Sequence, residues 1–130
     1  MNSALGTGNR DPLTGMAIGC AMEVHRAMGP GLLESVYETC LTHELEMNNV
    51  PFERQVSLPL IYKGQRLGSG FRLDFVIERR LIIELKAVDQ LLPVHDAQLL
   101  SYMKLSGMRT GLLLNFNTDI LRNGIKRLVL

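Results

Sequence analysis

The stretch Phe71–Ala87 reads FRLDFVIERRLIIELKA, and its pattern decides the fold. Two runs of alternating apolar residues, 71–77 and 81–87, are separated by a short charged link. Alternation with a period of two is typical of β-strands, because successive side chains point to opposite faces. The short link predicts that the two strands form a hairpin. We expect the apolar face of this hairpin to pack on the core, through Phe71, Leu73, Phe75, Ile77, Leu81, Ile83 and Leu85.

The polar residues of the same two runs are expected on the opposite face, namely Arg72, Asp74, Glu84 and Lys86. A turn centred on Arg79 keeps the apolar faces matched and places Asp74 directly opposite Glu84. Like charges directly opposite each other destabilise a strand pair. Two carboxylates held in this way therefore indicate a cation between them or a shared proton.

Hard cations such as Mg²⁺ and Mn²⁺ are held by a few carboxylate oxygens, together with waters and substrate phosphates. Asp74 and Glu84 would anchor the ion, and the backbone carbonyl of Leu85 would add a third oxygen. Lys86 lies on the same face as Glu84, where its ammonium is placed to orient a metal-bound water or to stabilise charge on a phosphate. A solvated strand face with a cross-strand ion pair is the competing interpretation of the same residues.

The rest of the chain supplies helices and further strands. Apolar spacings of three and four predict helices over 14–28 and 32–47, separated by Gly29-Pro30-Gly31. Residues 52–62 are predicted to form a strand, and Pro59 favours an edge strand or a bulge there. Pro93 begins a third helix that ends at Gly107, and short apolar runs at 111–116 and 125–130 predict strands. The sequence thus predicts an α/β protein in the order α-α-β-β-β-α-β, with a possible last strand.

Composition sets the broad class of the protein. A chain of 130 residues that is 46% hydrophobic and 21% charged is sufficient for one globular domain. We expect a flexible lead over residues 1–13 and a single domain over 14–130. The polar, Gly-rich lead is not a secretory signal, and no apolar run is long enough to span a membrane. We therefore expect a cytoplasmic protein.

The cysteines and the charge balance narrow the possible partners. Cys20 and Cys40 both fall in predicted helices, and we expect free thiols. A zinc site that combines them with His25 and His43 would lack the usual ligand spacing. The formal net charge is +1, so any nucleic-acid surface must be a local patch. The candidate cations, which an ordinary solvated surface would also explain, are Arg72, Arg79, Arg80, Lys104 and Arg109.

An Asp followed by Glu-x-Lys on a β-hairpin resembles the signature of the PD-(D/E)XK phosphodiesterases. Leu73 precedes Asp74 where the named motif has proline. The segment Gly31–Tyr37, GLLESVY, resembles the eponymous motif of the GxxExxY proteins within that superfamily. Residues 84–87 and 98–102 resemble the rest of that family's pattern, so the similarity runs from about residue 18 to residue 116.

The resemblance implies a restriction-endonuclease-like core, in which helices flank a central mixed sheet. It also implies that Glu34 approaches the metal from the second helix. Gln98 and Tyr102, which share one face of the third helix, would steady the metal-bound water or the phosphate. Each of the three has an ordinary explanation as well: Glu34 favours the helix dipole, Gln98 suits a solvated position, and Tyr102 suits the edge of the core.

Three functional hypotheses follow from the sequence. The first is a nuclease that hydrolyses phosphodiester bonds in DNA rather than RNA, using Mg²⁺ or Mn²⁺. Its site would comprise Asp74, Glu84 and Lys86, supported by Glu34, Gln98 and Tyr102. The second is a catalytically silent module on the same fold that binds nucleic acid or protein. The third, a hydrolase of small phosphoesters, would need a narrow pocket. A homodimer is expected for the first, since cutting both strands needs two sites.

Overall fold

The computed structural model describes residues 11–130, apart from the side chain of Ser69. In this part of the chain, three α-helices and five β-strands follow one another in the predicted order, including the possible last strand. Their bounds are α1 Pro12–Met28, α2 Glu34–Met47, β1 Phe52–Tyr62, β2 Gln65–Ile77, β3 Leu81–Lys86, α3 Pro93–Ser106, β4 Thr110–Asn115 and β5 Ile125–Val129, with a 3₁₀ turn at Leu121–Gly124 before β5.

Helix α1 begins two residues before the boundary expected at residue 14. The carboxylate of Asp11 accepts hydrogen bonds from the amide of Leu13 at 3.1 Å and from the hydroxyl of Thr14 at 2.9 Å. Pro12 then occupies the first turn, where its missing amide hydrogen costs nothing. An N-cap of this kind fixes the start of a helix. The predicted lead over 1–13 otherwise lies outside the described residues.

The five strands form one mixed sheet whose spatial order, β1-β2-β3-β4-β5, is also their order in the chain. Among the strands of residues 11–130, only β3 and β4 run parallel, and α3 connects them. Strand β1 lies at the edge, and its register shifts on both sides of Pro59, which confirms what that proline indicates. The register of β2 and β3 pairs Phe75 with Ile83 and Ile77 with Leu81, as the turn centred on Arg79 predicts.

Both faces of the sheet are covered, which corrects the prediction of one apolar and one polar face. Helices α1 and α2 pack on one face around Phe75, and α3 packs on the other around Ile82. Phe75 and Leu73 belong to different clusters, although strict alternation would put them together. Only the end of the sheet around Asp74 and Lys86 keeps the polar character predicted for the whole face.

Helices α1 and α3 both end at a glycine with a positive φ angle. Gly29 ends α1 with φ of 72°, and Gly107 ends α3 in the left-handed conformation with φ of 77°. Such values are strained for residues with a Cβ atom. Among helices of residues 11–130, none combines the length and apolar character needed to cross a membrane.

Candidate active site

Two carboxylates meet where β2 and β3 separate. The backbone ladder between these strands ends at the pair Phe75 and Ile83. One residue further on, the amide of Asp74 donates to Oε2 of Glu84 at 3.0 Å, and the amide of Leu85 donates to Oδ2 of Asp74 at 2.8 Å. Each carboxylate uses one oxygen in this exchange. The predicted juxtaposition of Asp74 and Glu84 is therefore confirmed.

Burial and mutual repulsion act together on these two groups. Glu84 is only 7% exposed, and burial, followed by the charge of Asp74, raises its pKa from 4.5 to about 8. Burial also raises the pKa of Asp74, although the hydrogen bond from Leu85 opposes this. The charge of Lys86 lowers both pKa values without cancelling the increase. Ionisation of both carboxylates at once is therefore unfavourable here, even with Lys86 close by.

The backbone at Leu85 faces the carboxylates. In a strand, the N–H and C=O of one residue point to the same edge. The Leu85 amide bonds to Asp74, so the Leu85 carbonyl is directed toward the β2 side as well. The next carbonyl, that of Lys86, points the other way and accepts from the amide of Phe116 at 2.9 Å. The predicted third oxygen therefore faces the correct edge of the strand.

The loop before α2 is held by Tyr37. The hydroxyl of Tyr37 donates to the Gly29 carbonyl at 2.6 Å and accepts from the Leu32 amide at 3.1 Å. Its ring stacks on Phe116 with the centroids 4.6 Å apart. These contacts fix the start of α2, whose first residue is Glu34. The tyrosine of the GLLESVY segment is thus structural, a role that the sequence reading did not assign.

Glu34 lies at the edge of the site. Burial raises the pKa of its carboxyl, the charges of Asp74 and Glu38 raise it further, and Lys86 lowers it. Glu34 is therefore within electrostatic reach of the carboxylate pair. It is also the acidic residue in the first turn of α2, so it favours the helix dipole at the same time. A position at the site and a favourable interaction with the helix dipole are therefore compatible for Glu34.

Glu38 and Gln55 also border the site, although they were not predicted from the sequence. Oε2 of Glu38 accepts from Arg54 at 3.0 Å and from the side-chain amide of Gln55 at 2.9 Å. The side chain of Gln55 also lowers the pKa of the Asp74 carboxyl, whereas the charge of Glu38 raises it. One signal was available in the sequence: Glu38 follows Glu34 by four residues, on the same face of a helix.

Helix α3 brings Tyr102 and Gln98 to the opposite side of the pair. Tyr102 is 9% exposed, and its ring lies 5.8 Å from that of Phe71. Burial and the charge of Glu84 raise the pKa of the Tyr102 hydroxyl, whereas a hydrogen bond from Gln98 lowers it. Tyr102 is thus within electrostatic reach of the carboxylates, whereas Gln98 is exposed and interacts with Tyr102. Their neighbour His95 instead accepts from the Leu92 amide at 2.9 Å and stabilises the start of the helix.

Asn115 holds the chain next to the site in place. This residue was not predicted from the sequence. Its side chain, 2% exposed, donates to the Val88 carbonyl at 2.9 Å and accepts from the Val88 amide at 3.1 Å. It also accepts from the amide of Asn117 at 3.2 Å. This exchange ties the segment after Lys86 to the end of β4. An asparagine that ends an apolar strand is the only trace of this role in the sequence.

The donor set suits a divalent cation. The charge that Asp74 and Glu84 carry together is what a bound cation would relieve. Within residues 11–130, no group of three or more His, Cys, Asp or Glu side chains is arranged to hold a metal. Glu34 therefore does not complete a three-carboxylate cluster in this arrangement. Further ligands would have to be oxygens of other kinds, such as the Leu85 carbonyl, waters or a substrate phosphate.

Three cations of the predicted basic patch, Arg79, Arg80 and Arg109, lie away from the carboxylates, which is a correction. Strand β3 pairs with β4 from Leu81 and Thr110 at one end to Lys86 and Asn115 at the other. The turn with Arg79 and Arg80, as well as Arg109, adjoins the first end, which lies roughly 10 Å from Glu84 along the strand. The cysteines, Cys20 and Cys40, are free thiols, as predicted.

Comparisons with known proteins identify the class of protein to which this fold and this site belong. A sequence model described as the PD-(D/E)XK nuclease superfamily matches residues 11–128. A solved structure described as the crystal structure of SSO0001 superposes with a TM-score of 0.59 at 18% identity, covering 97% of this chain and 71% of that one. No curated protein matches the chain. The chain belongs to the PD-(D/E)XK nuclease superfamily, and its helices and mixed sheet form a restriction-endonuclease-like fold.

Proposed function

We propose that this protein is a divalent-metal-dependent nuclease that hydrolyses phosphodiester bonds in DNA. The reciprocal bonding of Asp74 and Glu84 is the observation that carries the proposal. It holds two carboxylates side by side at the open end of a buried hairpin. The membership of the chain in a nuclease superfamily makes phosphodiester hydrolysis the expected chemistry. Mg²⁺ or Mn²⁺ is the proposed ion, since both prefer oxygen ligands.

Each site residue receives a distinct role in this proposal. Asp74, Glu84 and the carbonyl of Leu85 would hold the ion, which supplies Lewis-acid activation of water and charge neutralisation at the phosphate. The ammonium of Lys86 is placed to stabilise negative charge that develops on the phosphate. Glu34 adds negative charge on the α2 side.

On the α3 side, the hydroxyl of Tyr102 and the amide of Gln98 can donate hydrogen bonds to phosphate oxygens. We further propose that the chain is a member of the GxxExxY group. The contacts of Tyr37 support this, because they make Gly31–Tyr37 one unit that presents Glu34 to the site.

Calorimetry with Mg²⁺ and Mn²⁺, paired with cleavage of labelled DNA and RNA, tests the proposal. Glu84→Gln keeps the shape and the bond from Asp74 but removes the charge. Glu53→Gln, an exposed change on β1, is the matched control. We expect the wild type and the control to bind the ion and cut DNA, and Glu84→Gln to do neither. Equal metal binding by Glu84→Gln, or no cleavage of any nucleic acid by a metal-loaded wild type, would refute the proposal.

A catalytically silent binding module is the second candidate. One observation favours it: each carboxylate already uses an oxygen to satisfy the backbone, and the described residues provide no third acidic ligand. In that case Asp74 and Glu84 serve the sheet alone. This candidate predicts nucleic-acid or protein binding that is equal in Glu84→Gln and the wild type, with no dependence on metal.

A further inference from the structure

A long hairpin projects beyond the rest of the sheet, next to the carboxylates. Strands β1 and β2 pair from Phe52 and Ile77 out to Tyr62 and Gln65. Strand β2 pairs with β3 only over Phe75–Ile77. Residues 55–73 therefore pair only with each other within the described sheet, and we call them the hairpin arm. At the usual rise per residue, the arm extends roughly 25 Å from its base.

The base of the arm is anchored and its tip is free. Val56, Leu58 and Phe71 pack against the cluster under α3, where Phe71 contacts Tyr102. Toward the tip, Tyr62 is 58% exposed and Leu67 is 56% exposed. Asp74 directly follows the arm, so a ligand that lies along the arm also reaches the active site.

The arm differs from the rest of the chain in charge. Between Arg54 and Asp74 there are three cationic residues, Lys63, Arg66 and Arg72, and no acidic residue. The whole chain has 14 Lys and Arg against 13 Asp and Glu, so without the arm 11 cations stand against 13 acids, a net charge of −2. Within residues 11–130, none of the three arm cations takes part in a salt bridge. The arm is therefore suited to a polyanion.

The edges of the arm are irregular, which disfavours pairing with another strand. The register shifts at two places, at which β2 has an extra residue. Gly70 lies at one of them, where a Cβ atom would approach that of Leu60 to 2.7 Å, and Gly68 lies at the other with φ of 91°. Bulges twist a strand and interrupt its hydrogen-bonding edge. Pairing two arms would also bring like charges together.

The tip has an exposed aromatic ring beside a cation. The ammonium of Lys63 lies 5.5 Å from the centroid of the Tyr62 ring. Exposed aromatic rings flanked by cations are common in single-strand binding, because each base can stack on the ring while the cations meet phosphates. The tip therefore offers both kinds of contact.

We infer that the hairpin arm binds the sugar–phosphate backbone of the nucleic-acid substrate and leads it to the carboxylates. Lys63, Arg66 and Arg72 contact phosphates, and Tyr62 contacts an unpaired base where the strands are open. The inference deepens the proposed nuclease function and rests on it for the identity of the ligand.

The test is a binding titration of labelled single-stranded and duplex DNA in EDTA, where cleavage cannot interfere, at several salt concentrations. The triple variant Lys63→Gln/Arg66→Gln/Arg72→Gln removes the charge of the arm. Arg79→Gln/Lys104→Gln/Arg127→Gln removes the same charge elsewhere. Tyr62→Ala and Tyr62→Phe separate the ring from its hydroxyl. Sedimentation of each variant reports its oligomeric state.

We expect the arm triple variant to bind DNA about tenfold more weakly or worse, and its salt slope to fall by about 2 to 3, since each phosphate contact contributes roughly 0.7 to 0.9. The control triple variant should keep the slope of the wild type apart from small long-range effects. Tyr62→Ala should weaken single-strand binding roughly fivefold, whereas Tyr62→Phe should not.

Equal slopes for the two triple variants, or no DNA binding by the wild type, would overturn the inference. A dimer that dissociates when the arm is changed, with DNA affinity unaltered, would instead make the arm a contact between copies of this chain. Arm-dependent binding by a protein that never cleaves DNA would leave the inference intact and refute only the nuclease proposal.

Discussion

The amide of Asp74 donates to the carboxylate of Glu84, and Asp74 in turn accepts from the residue that follows Glu84. The two acidic side chains thus continue the β2–β3 ladder beyond the point where backbone pairing stops. Their removal would leave two amides without partners, so alanine variants would confuse loss of chemistry with loss of structure. Isosteric amides at these positions are the appropriate variants.

The stability of the metal-free protein should fall as pH rises, because of Glu84. Its pKa is about 8 in the folded protein against 4.5 ordinarily, so between these values the unfolded chain has already lost a proton that the folded protein keeps. Stability then falls by at most about 1.4 kcal/mol per pH unit and levels off above the folded pKa. Glu84→Gln should therefore be more stable than the wild type at pH about 9 and differ little at pH about 4.

Urea unfolding in EDTA across this pH range measures the effect, with Glu53→Gln as the control. The control should follow the wild type at every pH. A stability difference between Glu84→Gln and the wild type that does not change with pH would show that Glu84 is ionised in both states.

Metal binding should release protons at neutral pH. Glu84 is mostly protonated near pH 7 when no ion is present, and a cation binds the carboxylate form. Calorimetric titration with Mn²⁺ in buffers of different ionisation enthalpy should report about one proton released per ion. At pH about 9 the release should be much smaller. An observed enthalpy that is independent of the buffer near pH 7 would contradict this protonation state.

Tyr37→Phe should destabilise the fold by about 1 to 3 kcal/mol, because the Gly29 carbonyl and the Leu32 amide both lose a buried partner. The stacking on Phe116 would remain, so the loss reports the hydroxyl alone. Urea unfolding measures it, and the exposed Tyr62→Phe should be neutral. If Tyr37→Phe unfolds like the wild type, the hydroxyl does not hold the loop before α2.

Gly124→Ala and Gly19→Ala should have opposite effects. A Cβ at Gly124 would clash with the Asn115 carbonyl oxygen, and relief of that clash should cost about 1 to 3 kcal/mol. Gly19 lies in α1 with nothing within 4 Å of its added Cβ, so alanine should stabilise the protein by up to about 1 kcal/mol. Thermal unfolding of the two variants compares them directly. Equal melting temperatures would mean that the segment around Gly124 moves freely away from β4.

Most of the fold could be predicted because its signals are local. Alternation gave both strands of the 71–87 hairpin, and the length of the link gave the register that pairs Phe75 with Ile83. Pro93 and Gly107 mark the limits of α3. The assignment of the sheet faces was wrong. Periodicity predicts which side of α3 is buried, but it does not predict which face of the sheet α3 packs against. Ile82, for example, packs under α3 on the face for which polar residues were predicted.

The candidate site was predictable only where chemistry and strand pairing coincide. Asp74 and Glu84 follow from the register, and their neighbours on the helices follow only from the family resemblance. The positions of Glu38 and Gln55 near the site depend on an irregular backbone, with Gln55 at φ of 50°. No pattern of residue types predicts such an irregularity. The role of Asn115 depends on where the chain after Lys86 turns, which is a tertiary fact.

The identical order of the strands in the chain and in the sheet has a consequence for how the protein folds. Each strand pairs with its neighbour in sequence, so β1, β2 and β3 can assemble with short loop closures while the rest of the chain is still being synthesised. The packing of helix α1 cannot be completed at that stage. His25 bonds the Thr118 carbonyl at 2.7 Å, and Tyr37 stacks on Phe116, so the first two helices must wait for the last fifth of the chain. Chains interrupted before that point would expose the apolar face of α1 and become substrates for chaperones or proteases.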